Sequence, residues 1–90
     1  MVRPRDPDGT ISNKLWWLPR DGFTGRLTVH GERLDARSSP MWVRAVNWGY
    51  SSTGKGSWAS AVSFPGEGCW RLTGRVGDIS ITYVVRVRAS

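Results

Sequence analysis

The chain has 90 residues, which is enough for one domain with one small core and too few for a second domain. Six Trp supply much of its apolar surface, since each indole buries on the order of 200 Å². Eleven Gly and five Pro interrupt the chain, and no stretch repeats apolar residues at helical spacing over three turns, which excludes a helical fold.

The net charge of +6 comes from 13 Lys and Arg against seven Asp and Glu. Such an excess predicts either an ordinary solvated surface or a polyanionic partner. The basic residues are scattered singly, whereas a dedicated phosphate-binding stripe usually clusters them. We therefore do not expect a nucleic-acid partner.

Two Pro and several charged residues fill residues 1–13, which offer little to bury. This composition predicts a flexible arm or linker before a folded domain at residues 14–90. The domain opens with an apolar run in which Trp16 and Trp17 are adjacent. Because neighbouring side chains of a strand point to opposite faces, we expect one indole in the core and the other at an edge or exposed.

Turn signals divide the middle of the chain. The pair Asp21-Gly22 predicts a tight turn. Residues 32–40 lack alternation and predict an irregular crossing with Leu34 as a possible anchor. Residues 49–57 are rich in Gly and Ser and predict a flexible loop.

Residues 41–48 are apolar on both faces of an extended chain. This pattern predicts a strand well inside a sheet, with one of Trp42 and Trp48 buried. Alternating apolar and polar residues predict the other strands. The predicted extended segments are residues 14–18, 26–31, 41–48, 58–64, 69–76 and 79–87.

The last of these segments has the clearest pattern, because apolar side chains occupy every second position. We expect that face to be buried and the other face to be solvated, with Val84 as the exception. Upstream, Gly74 leaves room for a large ring from a facing sheet, and Gly77 suits a left-handed turn position. The residues expected on the buried face are Ile79, Ile81, Tyr83, Val85 and Val87.

Short strands at even spacing, separated by turn signals, are typical of an all-β fold. We predict an antiparallel β-sandwich of about seven strands, with Trp70 in its core.

The closing segment also carries a resemblance. Its sequence SFPGEGCWRLTGRVGDISITYVVRV, residues 63–87, resembles the final hairpin of small immunoglobulin-like domains in bacterial secreted proteins and lipoproteins, with the pattern F-P-x-x-G-C-W-x-V-T-G…S-L-T-F-V-V-x-V. The segments Leu15-Trp16-Trp17, Gly25-Arg26-Leu27-Thr28-Val29 and Gly31-Glu32-Arg33-Leu34 are similar to earlier elements of that group. The resemblance implies that the β-sandwich is immunoglobulin-like, an antiparallel sandwich of about seven strands, and that the chain is an exported, non-catalytic module. It supplies no binding residues.

Catalytic and metal sites find little support in the sequence. His30 is the only histidine, and no nucleophile motif accompanies it. His30 and Glu32 make two potential metal ligands where a site needs three or four. The lone Cys69 excludes an internal disulfide and is expected to be buried and inert. We therefore expect no enzyme activity, no cofactor and no metal.

A small domain can hardly bury six Trp, so we expect an exposed aromatic surface with basic residues beside it. We predict a binding or structural module that acts through this surface and through edge strands. The alternatives are a self-assembling subunit joined by the 1–13 arm and a carbohydrate- or polyanion-binding module. The candidate binding residues are Trp17, Arg44, Trp48, Tyr50, Lys55 and Trp58.

A protein partner or a second copy of the chain is the expected binding partner, and carbohydrate or a polyanion is an alternative. We expect no membrane span, because no apolar segment approaches the ~18 residues that one requires. The polar N-terminus has no apolar signal-peptide region. The expected extracytoplasmic location therefore needs a targeting segment outside this chain.

Overall fold

The computed structural model describes residues 1–19, 25–50 and 54–90. Within these ranges the chain forms seven β-strands and no helix, which confirms the all-β class. No described segment is a helix of the length and apolarity needed to cross a membrane. The strands are β1 (Val2–Arg3), β2 (Ile11–Trp17), β3 (Leu27–Arg33), β4 (Trp42–Tyr50), β5 (Gly56–Phe64), β6 (Gly68–Val76) and β7 (Ile79–Ala89).

The strands build two sheets that pack face to face. One sheet has the order β1-β7-β6-β3 and the other the order β2-β5-β4. All neighbouring strands are antiparallel except β1 and β7, which are parallel. The predicted turn at Asp21-Gly22 lies outside the described residues, as do residues 51–53 of the predicted Gly/Ser loop.

The predicted flexible arm at residues 1–13 is wrong. Val2 pairs with Arg88 of β7, and the N-terminal amine donates a hydrogen bond to the Arg86 carbonyl at 3.0 Å. Ile11 belongs to β2 and is completely buried. Between them, the chain folds into a turn in which the Asp6 amide donates to the Thr10 carbonyl at 2.8 Å. Asp and Pro both favour turns, so a segment rich in these residues can fold into an ordered turn and need not be a flexible arm.

Two indoles anchor the core between the sheets. Trp70 of β6 is fully buried, as predicted. Its ring meets the ring of Phe64 on β5 edge-on, with the two ring centres 5.3 Å apart. Its indole nitrogen donates to the Gly66 carbonyl at 3.2 Å. Trp17 of β2 fills the other end of the core and donates from its indole nitrogen to the Ser60 hydroxyl at 3.0 Å. Both polar ends are thus satisfied within the core.

The two predicted glycine roles are confirmed. An added Cβ on Gly74 would lie 2.6 Å from a ring carbon of Trp17, so the indole packs directly on the backbone of β6. Gly77 has a φ of 58° in the turn between β6 and β7, where a residue with a side chain would be strained. Trp17 is also the core member of the adjacent indole pair, and Trp16 is the exposed member.

The prediction that residues 41–48 lie inside a sheet is wrong. Among the described strands β4 pairs only with β5, and both Trp42 and Trp48 are exposed. A register shift between Val43 and Ala45 inserts an extra residue into β4. Such a bulge reverses the alternation, so Trp42 and Trp48 lie on opposite faces of the sheet although their numbers share one parity.

Two further core predictions fail. Leu34 is exposed, and Met41 instead packs against Gly31 to hold the crossing from β3 to β4. On β7, Ile79 and Ile81 are about half exposed although Val87 of the same face is fully buried. Both isoleucines lie at the end of the sheet where β2 stops at Trp17, beside the cavity lined by Leu18 and Pro19.

Replacing Gly74→Ala is expected to destabilise the domain by about 1–3 kcal/mol, because the new methyl group overlaps the Trp17 ring. The matched control is Gly49→Ala, since no atom lies within 4 Å of an added Cβ there. That control should change the free energy of unfolding by less than about 1 kcal/mol. Urea denaturation followed by Trp fluorescence measures both. Wild-type stability in Gly74→Ala would contradict the packing of Trp17 on Gly74.

Candidate functional site

The outer face of the β2-β5-β4 sheet carries a depression bordered by aromatic and basic side chains. On the central strand β5, Trp58, Val62 and Phe64 face the core, so the alternate positions Ala59 and Ala61 face outward. Their small side chains form a low floor between the longer side chains of β2 and β4. We call this depression the outer-face trough; it has a volume of about 500 Å³ and is lined by Arg3, Ser12, Asn13, Lys14, Trp16, Arg44, Ala61 and Val62.

Trp16 forms the aromatic wall of the trough. Its side chain is 66% exposed, although the neighbouring Trp17 is buried. Trp16 pairs with Ala59 of β5. Because the alanine side chain is small, β5 leaves the indole ring uncovered on that side. The alternation of β2 places the indole outside because Trp17 occupies the core.

Arg44 lies at the opposite side, at the β4 bulge. Its Nε donates to the Ser63 hydroxyl at 2.6 Å, and its guanidinium carbon lies 5.5 Å from the centre of the Trp42 ring. These two contacts hold the guanidinium between the Ser63 hydroxyl and the Trp42 ring. Trp42 is itself exposed and extends the surface beyond Arg44.

A chain of hydrogen bonds crosses the sheet beneath Arg44. Ser63 on β5 lies 3.0 Å from the Ser12 hydroxyl on β2, and Ser12 donates to a carboxylate oxygen of Asp6. Arginine can only donate and a carboxylate can only accept, so the order runs from Arg44 through Ser63 and Ser12 to Asp6. Because each hydroxyl then donates once and accepts once, the chain fixes both charged ends.

Asp8 reaches the same end of the trough from the turn between β1 and β2. One of its carboxylate oxygens lies 3.9 Å from a terminal nitrogen of Arg44. The Thr10 hydroxyl donates to the other oxygen at 2.6 Å and the Thr10 amide at 3.0 Å. These bonds, followed by the charge of Arg44, hold the pKa of Asp8 below its usual range. Asp8 therefore stays ionised at neutral pH.

The trough also has cations without a close anionic partner. Lys14 and Arg3 form no salt bridge with any residue in the described ranges. The Arg3 Nε donates only to the Ser12 carbonyl, at 3.4 Å. The site therefore combines one exposed indole, three basic side chains and several hydroxyl and carboxylate oxygens around a shallow floor.

The sequence-predicted binding residues do not form one surface. Trp17 and Trp58 are buried, with Trp58 only 5% exposed, so the prediction that they form part of an exposed platform is wrong. They lie with Trp48 in one row across the inner face, since Trp17, Trp58 and Trp48 occupy paired positions on β2, β5 and β4. The centres of the Trp48 and Trp58 rings lie 4.8 Å apart, and Trp48 is the last member of the row, at the edge of the sheet.

The remaining predicted residues are exposed but separated. Tyr50 meets Trp48 edge-on at 5.7 Å on the inner side of the sheet. Lys55 is exposed next to the β4–β5 connection, where residues 51–53 are outside the description. Only Arg44 belongs to the outer-face trough.

The sequence prediction missed Trp16, Trp42, Lys14 and Arg3 as site residues. A signal for Trp16 was present, because the alternation of β2 required that either Trp16 or Trp17 be outside. The position of Trp42 depends on the β4 bulge and that of Arg3 on the pairing of β1, and neither has a sequence signature here.

Metal-binding and reactive groups are sparse in the described part of the chain. No group of three or more His, Cys, Asp or Glu in residues 1–19, 25–50 and 54–90 is arranged to hold a metal ion. His30 is exposed on β3, and Cys69 is a half-buried free thiol at the start of β6. Neither lies in the outer-face trough.

Comparisons with known proteins add no assignment: no family model, no curated protein and no solved structure matches this chain.

Trp16→Ala is expected to change the free energy of unfolding by less than about 1 kcal/mol, because the ring contributes little to the core. The contrasting variant Trp58→Ala removes a buried ring and should cost about 3–5 kcal/mol. Urea denaturation of both variants gives the comparison. Equal losses would show that Trp16 is a core residue and would contradict the assignment of the outer face.

Proposed function

We propose that this chain is a non-catalytic, immunoglobulin-like binding module that acts outside the cytoplasm and holds an extended ligand in the outer-face trough. The observation that carries the proposal is the exposed Trp16 beside three basic side chains in a depression of about 500 Å³. An exposed indole next to fixed polar groups is a common arrangement at binding hot spots.

The strand order supports the immunoglobulin-like part of the proposal. The orders β2-β5-β4 and β7-β6-β3 correspond to strands B-E-D and G-F-C of an immunoglobulin constant-type sandwich. One difference is that β1 pairs with the last strand, whereas strand A of that arrangement lies beside B. The other is that Trp17 against Gly74 joins β2 to β6, where antibody domains have a disulfide.

We propose that the site is not catalytic because its carboxylates are engaged in hydrogen bonds and Asp8 is ionised. Asp6 accepts from Ser12, and Asp8 accepts twice from Thr10 and faces Arg44. The lowered pKa of Asp8 leaves it without a proton to donate near neutral pH. A shallow surface also gives little exclusion of water, which acid–base catalysis on a bound chain usually needs. The extracytoplasmic location rests on the resemblance of residues 63–87 alone.

Self-association is a second candidate, because β4 has a free edge. Among the described strands it pairs only with β5, and Arg44 is the one charged residue in its nine. Long apolar edges pair readily with other chains, although the bulge at Val43 opposes this. The version of this candidate that uses an N-terminal arm loses support, because Val2 and Arg3 pair with β7 of their own chain.

The binding proposal predicts that Trp16→Ala weakens ligand affinity about tenfold or more, as loss of a central Trp usually does. The probes are soluble neutral and acidic oligosaccharides, a single-stranded oligonucleotide and extended peptides, and calorimetry measures their affinities. Tyr50→Ala is the matched control, since this exposed ring lies on the inner side of the sheet. Equal loss in both variants, or no probe whose binding needs Trp16, would refute the proposal.

The edge candidate predicts a dimer at high protein concentration that Asn47→Lys disrupts, because this exposed residue of β4 faces outward and a charge there opposes strand pairing. Size exclusion with light scattering gives the mass of both proteins across a concentration series. A monomeric mass for the wild type at every concentration rules this candidate out.

A further inference from the structure

We infer that the ligand of the outer-face trough is a polysaccharide that carries carboxylate groups along its chain. This inference rests on the proposed function and names the ligand class of the same site. Three features carry it: the basic side chains that line the trough, the exposed ring of Trp16, and the two aspartates that contact the lining at one end.

The basic side chains have free hydrogen-bonding capacity. Arg44 uses its Nε for Ser63, and Asp8 lies at the long distance of 3.9 Å from one terminal nitrogen. The two terminal nitrogens therefore remain available for a carboxylate in the paired geometry that a guanidinium favours. Lys14 and Arg3 add two further positive charges on the β2 side of the floor. The three cations line one trough and give it the positive charge that attracts carboxylates.

Trp16 supplies the part of the site that recognises a ring. Its exposed face lies next to the small side chains of Ala59 and Ala61, so a flat ring can rest on the indole without meeting a bulky neighbour. A sugar also needs both donors and acceptors for its hydroxyl groups. The trough has both along its length, because Lys14 and Arg44 can donate and the carboxylate of Asp8 beside Arg44 can accept.

The two aspartates favour a sparsely charged ligand over a nucleic acid. Arg3, Lys14 and Arg44 line the trough, and the carboxylates of Asp6 and Asp8 contact its lining residues Ser12 and Arg44, so the excess is a single positive charge. A phosphodiester chain carries a charge at every nucleotide and binds through the summed attraction of many cations. The aspartates oppose that attraction, whereas they can accept hydrogen bonds from sugar hydroxyls. A polysaccharide with carboxylates thus fits the site better than a polynucleotide.

The test measures the affinity of the full chain for oligogalacturonate, for the same oligosaccharide with its carboxyl groups reduced to alcohols, and for a single-stranded oligonucleotide. The acidic form should bind about tenfold or more tightly than the reduced form, as loss of charge-assisted hydrogen bonds predicts. In the double variant Arg3→Gln/Lys14→Gln this ratio should fall towards one. The control Lys55→Gln/Arg75→Gln removes two exposed cations that do not line the trough and should keep the ratio.

The outcomes separate this inference from the proposed function. If the reduced oligosaccharide binds as tightly as the acidic one and both need Trp16, the binding module stands and the acidic ligand is wrong. If the oligonucleotide binds more tightly than oligogalacturonate, the inference is also wrong. If no probe shows binding that depends on Trp16, both the ligand class and the proposed function fail.

Discussion

The contact between Trp17 and Gly74 is the constraint on which the rest of the structure depends. The indole lies directly on the backbone of β6, donates to Ser60 on the neighbouring strand and packs against Tyr83 at 5.6 Å. It thus ties four strands together at one point, two from each sheet. Because a strand alternates, burying Trp17 turns Trp16 outward, and the same contact that closes the core creates the aromatic wall of the trough.

In β4, one extra residue determines which side chains face the core and which face outward. Trp48 must lie inward, since it covers Gly56 and contacts Trp58. Without the bulge, Trp42 would share that face. The shift between Val43 and Ala45 turns Trp42 and Arg44 to the outside, where the Ser63 hydroxyl accepts a hydrogen bond from Arg44 Nε. The bulge therefore separates the aromatic groups of the core from those of the candidate site.

The sequence predicted the elements that local chemistry determines. Six of the seven described strands coincide with extended segments predicted from apolar patterning and turn residues, and Gly74 and Gly77 take the predicted roles because only a residue without a side chain suits those positions. The failures have a common cause in nonlocal geometry. The pairing of the two-residue strand β1, the bulge in β4 and the end of the facing sheet beyond Trp17 all depend on a partner strand that alternation does not reveal. The candidate site combines these features, so its residues were mostly missed although its chemical character, aromatic and basic, was expected.

The N-terminal residues have a larger part in the site than a linker would. Arg3 lies over β2 because β1 pairs with β7, and the following turn brings Asp6 and Asp8 to Ser12 and Arg44. The hydrogen-bond chain that orients Arg44 thus ends on a residue of this turn. Since Ile11 anchors the end of the turn in the core, folding of the sandwich brings the turn to the trough. A chain lacking this segment would lose the anion that orients Arg44 and one of the three cations, while Trp16 would remain in place because Trp17 alone determines its side of the sheet.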